Sequence, residues 1–213
     1  MATINSGILG GFSGKVGTVT GYSRYGKNIM RSATSTVTDK PTPGRLAQRE
    51  KVKMCNAFMK AFARTGFFSK TFPHYGQGGS GYNRAMGILL NKALYGNYPD
   101  YGIDYEKFLV SCGPLPEPSG AAANATPSHD ILFTWTNNTG EGTAKAGDKA
   151  VLAAYFPALG QIVFSWQAGT RATGQGILPA QQLQGYTAET WLGFLSADEK
   201  DAANSVYTGL VIV

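Results

Sequence analysis

The residues that could do chemistry begin with a glycine-rich loop ahead of a helical pattern. The loop contains Gly76, Gly78, Gly79 and Gly81, and backbone N–H groups at the start of a helix can bind a phosphate. A dinucleotide site would also need a preceding β-strand and an acidic residue at the distance of the ribose. The sequence predicts neither of these, so we interpret the loop as a flexible connector, with phosphate binding as the alternative.

Nucleophiles, acids and metal ligands occur in the sequence without the spacing of an active site. His74 and His129 are the only histidines, and neither has a Cys, Asp or Glu at metal-ligand spacing. Ser80 lacks the second glycine of a nucleophile elbow. The acidic residues around Asp198 lack the alternating oxygen ligands and the glycine of a calcium loop. We therefore predict that the chain is not an enzyme and has no catalytic residue, metal or cofactor.

A basic stripe on a predicted helix is a candidate for binding an anionic partner. Apolar residues at intervals of three to four positions predict this helix over residues 43–64. The opposite side of the helix carries Arg45, Arg49, Lys53, Lys60 and Arg64. Such a stripe could follow the phosphates of a nucleic acid. An ordinary solvated helix face is the alternative.

Four tyrosines follow the second predicted helix, which spans residues 82–95. They are Tyr95, Tyr98, Tyr101 and Tyr105, and they recur every three to four residues around Pro99. Tyrosine suits protein interfaces because it has an apolar body and a polar tip. The four are therefore a candidate interface. The alternative is that they seal a contact between the two halves of the chain.

Three tryptophans could provide a platform on which sugars stack. Trp135, Trp166 and Trp191 each lie inside a strand-like run. A carbohydrate-binding sandwich would need at least one of them at the surface. The alternative, which this position favours, is that they belong to the core.

Two groups of elements position these residues. In the first group, residues 15–22 and 27–32 predict a β-hairpin, and the two helices follow it. In the second group, short apolar runs predict strands, and a Pro/Ala/Ser-rich loop is predicted over residues 116–128. The predicted strands are residues 108–115, 130–136, 150–156, 161–167, 186–196 and 206–213. About seven antiparallel strands in this length are typical of a fibronectin- or immunoglobulin-like sandwich.

The charge of the chain is divided unequally along its length. Residues 1–116 carry 15 Lys and Arg against 5 Asp and Glu, whereas residues 117–213 carry 4 against 8. A basic half suggests an anionic partner. Packing between neighbouring copies, or between the halves of one chain, would explain the same asymmetry.

Composition and cysteine usage limit the class of protein further. Aromatic residues at 12% and hydrophobic residues at 43% exclude disorder. The only two cysteines, Cys55 and Cys112, are predicted to be buried free thiols. No apolar run approaches the ~18 residues of a membrane span. No secretory signal is visible at the start, which predicts cytoplasmic synthesis or a virion-associated protein.

Several segments together resemble a family of Bacteroidota proteins of unknown function. The most specific is the glycine pattern of residues 7–21, and the others are residues 43–53, 111–115, Arg171, 178–179 and 205–209. The resemblance covers nearly the whole chain. It implies a Gly-rich N-terminal hairpin with a C-terminal sandwich, and it implies no activity or ligand.

The sequence therefore predicts an α+β protein with two domains. Residues 1–106 form a basic module of one β-hairpin and two helices, and residues 107–213 form an antiparallel β-sandwich of fibronectin type III or immunoglobulin type. We expect a structural or assembly protein that contacts copies of itself or other subunits, as in a virion or a surface appendage. Nucleic-acid binding and carbohydrate binding are the alternatives.

Overall fold

The computed structural model describes residues 3–4, 10–24, 26–33, 39–63, 65–73 and 79–213. The chain divides into two compact units, Met1–Thr42 and Pro43–Val213. The domain boundary predicted between residues 106 and 107 lies inside the second unit and stays a prediction. Arg64, His74 and the first half of the glycine-rich loop (residues 76–78) lie outside the described residues.

The first unit is an antiparallel sheet of four strands in sequence order. These are β1 (Thr3–Ile4), β2 (Phe12–Val16), β3 (Val19–Arg24) and β4 (Lys27–Ser32). The hairpin predicted around residue 26 is present as β3 and β4. Its first strand was predicted over residues 15–22 with interruptions at Gly17 and Gly21. The chain turns at Gly17, whose φ is +54°, so residues 15–16 belong to β2 and not to β3. Only glycine takes such an angle without strain.

The second unit begins with three helices. They are α1 (Pro43–Met59), α2 (Phe67–Thr71) and α3 (Gly81–Ile88), and a single π-helical turn (Leu89–Ala93) extends α3. The first helix was predicted to reach residue 64. It ends at Met59 because the following N–H groups of Ala61 and Phe62 bond to carbonyls three residues back, the pattern of a tightened last turn.

The segment after α3 differs from the sequence-based interpretation. The second helix was predicted to run to Tyr95, but the chain leaves the helix at Ala93 and forms a hairpin of β5 (Leu94–Asn97) and β6 (Asp100–Ile103). Gly96, expected to end the helix, instead lies in β5 with φ +91°. Two of the four tyrosines therefore belong to β5 and β6, and Tyr98 lies in the turn between them.

Seven strands form the predicted β-sandwich. They are β7 (Ser119–Ala125), β8 (Ile131–Thr136), β9 (Lys149–Phe156), β10 (Gln161–Ser165), β11 (Gln175–Leu178), β12 (Thr187–Leu195) and β13 (Val206–Ile212). One sheet has the order β11-β8-β7 and the other β10-β9-β12-β13. Every pairing is antiparallel. This arrangement of three and four strands confirms the fibronectin-like sandwich and the α+β class.

The first strand of the sandwich lies later in the chain than predicted. Residues 108–115 were expected to form it, but they are an irregular buried connection with an isolated bridge at Leu115. Their backbone N–H groups are used elsewhere: Val110 donates to the Ser205 hydroxyl at 2.9 Å and Cys112 to the Thr71 carbonyl at 3.0 Å. The strand is β7, whose Ala-rich sequence had been interpreted as a loop.

The four-stranded sheet of the sandwich, β10-β9-β12-β13, is covered on both faces. One face packs with the β11-β8-β7 sheet around Leu152, Phe156 and Phe194. The other face packs against the helices, where Tyr155 and Trp191 contact a set of phenylalanines. That set consists of Phe58, Phe62, Phe67, Phe68, Phe72 and Phe108. The second unit therefore has three layers and two hydrophobic cores, and β9 is buried along nearly its whole length.

A buried ion pair closes one end of the sandwich. The Arg171 side chain is 0% exposed, and its Nε donates to Asp148 Oδ2 at 3.0 Å. Its terminal nitrogens donate to Asn138 Oδ1 at 2.6 Å and to the Pro116 carbonyl at 3.1 Å. The guanidinium carbon lies 3.9 Å from the centre of the Phe194 ring. Buried charge is tolerated here because each side of the guanidinium has a partner.

Candidate interaction surfaces

The basic stripe of α1 lies on the exposed side of the helix. Four of its predicted members, Arg45, Arg49, Lys53 and Lys60, are exposed, and Arg64 lies outside the described residues. The buried side of the helix carries the apolar residues Cys55, Phe58 and Met59. The Lys53 ammonium pairs with Glu50 at 3.1 Å, although its side chain remains 77% exposed. The division of this helix into basic and apolar sides follows the sequence prediction.

The four tyrosines divide into an exposed pair and a supporting pair. Tyr95 is 61% exposed and Tyr98 is 52% exposed. Tyr101 is half-buried, and Tyr105 packs against the core between the helices and the sheet. The structure thus places the exposed tyrosines on the β5–β6 hairpin and assigns to Tyr105 the sealing role that was the alternative for all four.

The β5–β6 hairpin holds Tyr95 in a defined position. At the base of the hairpin Leu94 pairs with Ile103, and both pack against the core below the helices. Tyr95 is opposite Gly102, and its ring fills the space that a side chain at residue 102 would occupy. The position of the Tyr95 ring therefore requires a glycine at residue 102.

The hairpin is attached to α1 through an aromatic contact. The Lys51 ammonium lies 5.2 Å from the centre of the Tyr101 ring. A cation in this position is attracted by the face of the ring. The sequence prediction missed the role of Lys51. This residue lies four positions before Cys55, and the helical period therefore places it beside the apolar side of α1.

Tyr105 anchors the end of the hairpin in the core. Its ring lies 5.9 Å from Phe58 and 6.2 Å from Trp191, and its carbonyl accepts a hydrogen bond of 3.1 Å from the Trp191 indole N–H. Burial, with smaller contributions from Tyr155, Glu189 and Tyr95, raises the pKa of Tyr105 to about 12. This phenol stays neutral at physiological pH and serves packing.

A buried carboxylate, that of Glu189, is hydrogen-bonded on the same sheet of the sandwich. Glu189 is 9% exposed and accepts a hydrogen bond from the Tyr207 hydroxyl. Burial raises the pKa of Tyr207, and the neighbouring Glu189 raises it further. The pair joins β12 to β13.

The tryptophans do not form the surface platform that carbohydrate binding requires. Trp191 is 0% exposed and Trp135 is 6% exposed. Trp166 is half-buried, but its ring stacks on Phe67 with a centroid distance of 5.3 Å. The Lys70 ammonium lies 5.1 Å from the centre of the same ring. All three rings are used in packing.

Two clefts in the described part of the second unit have the volume of a small-molecule site. One, of about 420 Å³, is lined by Gln161, Val163 and residues 179–183. Another of about 420 Å³ includes Lys145, Asp148, Asp198 and Asp201. Within the described ranges no three His, Cys, Asp or Glu side chains are grouped for a metal ion. The absence of enzyme activity stays a prediction.

Both cysteines are free thiols as predicted, but only Cys55 is buried as predicted. Cys112 is half-buried. Burial raises the pKa of Cys55 to about 11, which keeps the thiol protonated. In the part of the chain that the structure describes, no helix is long and apolar enough to cross a membrane.

These features define the second unit as a fibronectin-like β-sandwich with a helical layer on its larger sheet. The chain belongs to a family of unknown function (DUF6266), whose model matches residues 11–209. This confirms that the chain is a member of a family of unknown function. The Bacteroidota origin of that family stays a prediction.

Comparison with solved structures finds a likeness to the FN1–FN3 domains of chicken CNTN1. The two chains are 11% identical, and the TM-score is 0.36. The match covers 47% of this chain and spans about a third (34%) of the other. No curated protein matches the sequence.

Proposed function

We propose that the chain is a non-enzymatic structural or assembly protein that contacts copies of itself or other subunits of a larger particle or appendage. The observation that supports this most directly is the exposed tyrosine pair on the β5–β6 hairpin. Most large aromatic side chains of the second unit are buried, whereas Tyr95 and Tyr98 are more than half exposed. Exposed tyrosines on a rigid support provide contact area at low entropic cost.

The hairpin is suited to contact because its support is built into the core. Leu94 and Ile103 pack the base of the hairpin against the core. Lys51 contacts the ring of Tyr101, and Tyr105 packs into the core directly after the hairpin. Side chains held in one arrangement lose little freedom when a partner binds. The fibronectin-like fold is compatible with a role in protein contacts.

The experiment compares the chain with a Tyr95→Ser/Tyr98→Ser variant as bait for subunits from the native source. We expect the double variant to lose the captured protein, because tyrosine is enriched among interface hot spots, which contribute about 2 kcal/mol or more each. The matched control is Tyr186→Ser, which removes a tyrosine that is 40% exposed elsewhere on the sandwich.

A second test reaches the same surface without touching a tyrosine. Gly102→Ala places a methyl group where the Tyr95 ring lies, so the ring must move. Binding should weaken as in the tyrosine variant while the fold is kept. A chain that stays monomeric at high concentration and captures no partner would refute the proposal.

Nucleic-acid binding is the second candidate, supported by the exposed basic side of α1. The Arg49→Glu/Lys53→Glu variant should bind DNA or RNA more than about tenfold more weakly, and binding of the unaltered chain should fall steeply with salt. Lys200→Glu, at an 80% exposed lysine on the sandwich, is the control. Binding that is equal for both variants would exclude this function.

A further inference from the structure

One long stretch of the sandwich carries almost no charge. Residues 150–188 include a single charged side chain, Arg171, which is 0% exposed. Charged residues make up 15% of the chain, so a stretch of this length would carry about six on average. All surface that these residues form is therefore uncharged.

The stretch forms one side of the sandwich. β10 is the last strand of the four-stranded sheet, and β11 is the last strand of the three-stranded sheet on the same side. Between β10 and residues 179–183 lies the cleft lined by the amides Gln161, Gln181 and Gln182. We call β10, β11 and residues 179–183 the neutral edge.

β10 has the properties of an unprotected edge strand. Among the described residues it pairs only with β9, so half of its backbone N–H and C=O groups point away from the sheet. Edge strands are usually protected from further pairing by Lys, Pro or a bulge. β10 (QIVFS) has none of these, and Ile162, Val163 and Phe164 remain half-buried, whereas the corresponding residues of β9 are buried.

Resting on the proposed function, we propose that the neutral edge is a self-association surface on which a second copy of this chain pairs through its own neutral edge. The two β10 strands lie antiparallel about a twofold axis, and the two four-stranded sheets continue into one. With the axis at Val163, the middle of the strand, Gln161 of one copy lies opposite Ser165 of the other.

The absence of charge is the argument for a second copy as the partner. A twofold contact places each side chain near its own counterpart, so a charge close to the axis would meet a like charge. The neutral edge has no such charge. Its glutamines are self-complementary because each amide both donates and accepts hydrogen bonds.

Other sheet edges are less suited to this pairing. β4, at the end of the N-terminal sheet, carries Lys27 and Arg31, which would repel their counterparts across an axis. β13, the other end of the four-stranded sheet, lies against β7. The Lys70 ammonium near Trp166 is already paired with Glu199 at 2.9 Å.

The experiment is sedimentation equilibrium of the full chain over a concentration series at low and high salt. The unaltered chain should form a dimer whose dissociation constant changes little with salt, because no exposed charge lies in the contact. Gln161→Lys/Gln182→Lys should raise that constant more than about tenfold, because the contact would then hold four positive charges and no negative one. Gln48→Lys, the same change at an exposed glutamine of α1, should leave it unchanged.

A mixing measurement separates loss of the surface from loss of the fold. Gln161→Glu/Gln182→Glu should also be monomeric alone, and an equimolar mixture of the Lys and Glu variants should dimerise again. Dimers formed by the Lys variant as readily as by the unaltered chain would overturn this inference and leave the proposed function standing.

Two further outcomes distinguish the two proposals. If Tyr95→Ser/Tyr98→Ser abolishes the dimer, the hairpin is the contact and the neutral edge is not. If the unaltered chain is monomeric throughout, the inference fails, and the proposed function then depends on whether another protein binds the hairpin.

Discussion

Arg171 shows at the residue scale why the role of a buried charge is hard to predict from sequence. Its partners come from three separate segments, at Asp148, Asn138 and Pro116. No spacing along the chain indicates these contacts, which exist only once the strands have paired. The exposed basic residues of α1 were predictable because the helical period alone places them opposite the apolar side.

Removing Arg171 should be among the most destabilising changes in the chain. Arg171→Leu leaves Asp148 buried without its cationic partner, and loss of one member of a buried pair typically costs about 3–5 kcal/mol of unfolding free energy. Urea denaturation gives this value. Lys200→Ala, which removes an 80% exposed partner of Asp198, should change stability by less than about 1 kcal/mol. Equal effects of the two substitutions would contradict this account.

Glu199 gives the second unit a defined response to acid. Hydrogen bonds from Lys149, at 2.8 Å, and from Lys70, at 2.9 Å, lower the pKa of Glu199 from 4.5 to about 2. Because the folded pKa is depressed, the resulting stability is present above about pH 4.5 and is lost as the pH falls towards 2.

The pKa of Glu199 can be followed by NMR titration. Lys70→Met should move it back towards 4.5 and reduce the acid dependence of stability. Lys200→Met, a neighbour that pairs with Asp198, should not move it. An unchanged Glu199 pKa in Lys70→Met would show that Lys149 alone is sufficient.

At the scale of elements, apolar strands were predictable and the Ala-rich strand was not. β8, β9, β10, β12 and β13 contain β-branched or aromatic residues that indicate strands locally. β7 (SGAAANA) has no such residues, and it forms because β8 offers a free edge. The β5–β6 hairpin was likewise missed, because its tyrosine spacing also fits the end of a helix.

Two glycines of α3 should respond oppositely to alanine. A methyl group on Gly81 would overlap with the backbone carbonyl of Phe68, so Gly81→Ala forces α2 and α3 apart at a cost of about 1–3 kcal/mol. Gly87 has nothing within 4 Å of that position, and Gly87→Ala should stabilise by up to about 1 kcal/mol. Thermal unfolding of both variants checks the difference. If Gly87→Ala lowered the melting temperature, helix propensity at residue 87 would not contribute to the stability of α3.

At the scale of the whole molecule, the sequence predicted a hairpin-helix module beside a sandwich, whereas the helices share a core with the sandwich. The predicted boundary at residue 106 followed changes in composition, which do not reveal that Phe58 and Tyr155 are in contact, with ring centroids 4.7 Å apart. Contacts between residues so distant in sequence have no local signal. The three-layer arrangement was therefore beyond prediction from periodicity.

Truncation tests how the layers depend on one another. Residues 43–213 should unfold cooperatively, because both cores are retained. Residues 107–213 alone would expose Tyr155, Trp191 and Phe164 on one face of the larger sheet, and we expect aggregation or a large loss of stability. Size-exclusion chromatography and circular dichroism distinguish these outcomes. A stable, monomeric 107–213 fragment would instead support the boundary at residue 106.

The larger sheet of the sandwich, β10-β9-β12-β13, contributes one face to each of the two hydrophobic cores. Trp191 reports on the helical side and Trp135 on the sandwich side. Neither core can unfold on heating while the sheet that both cores share stays folded. Both indoles should therefore register a common melting temperature, and calorimetry of residues 43–213 should show one endotherm in place of two.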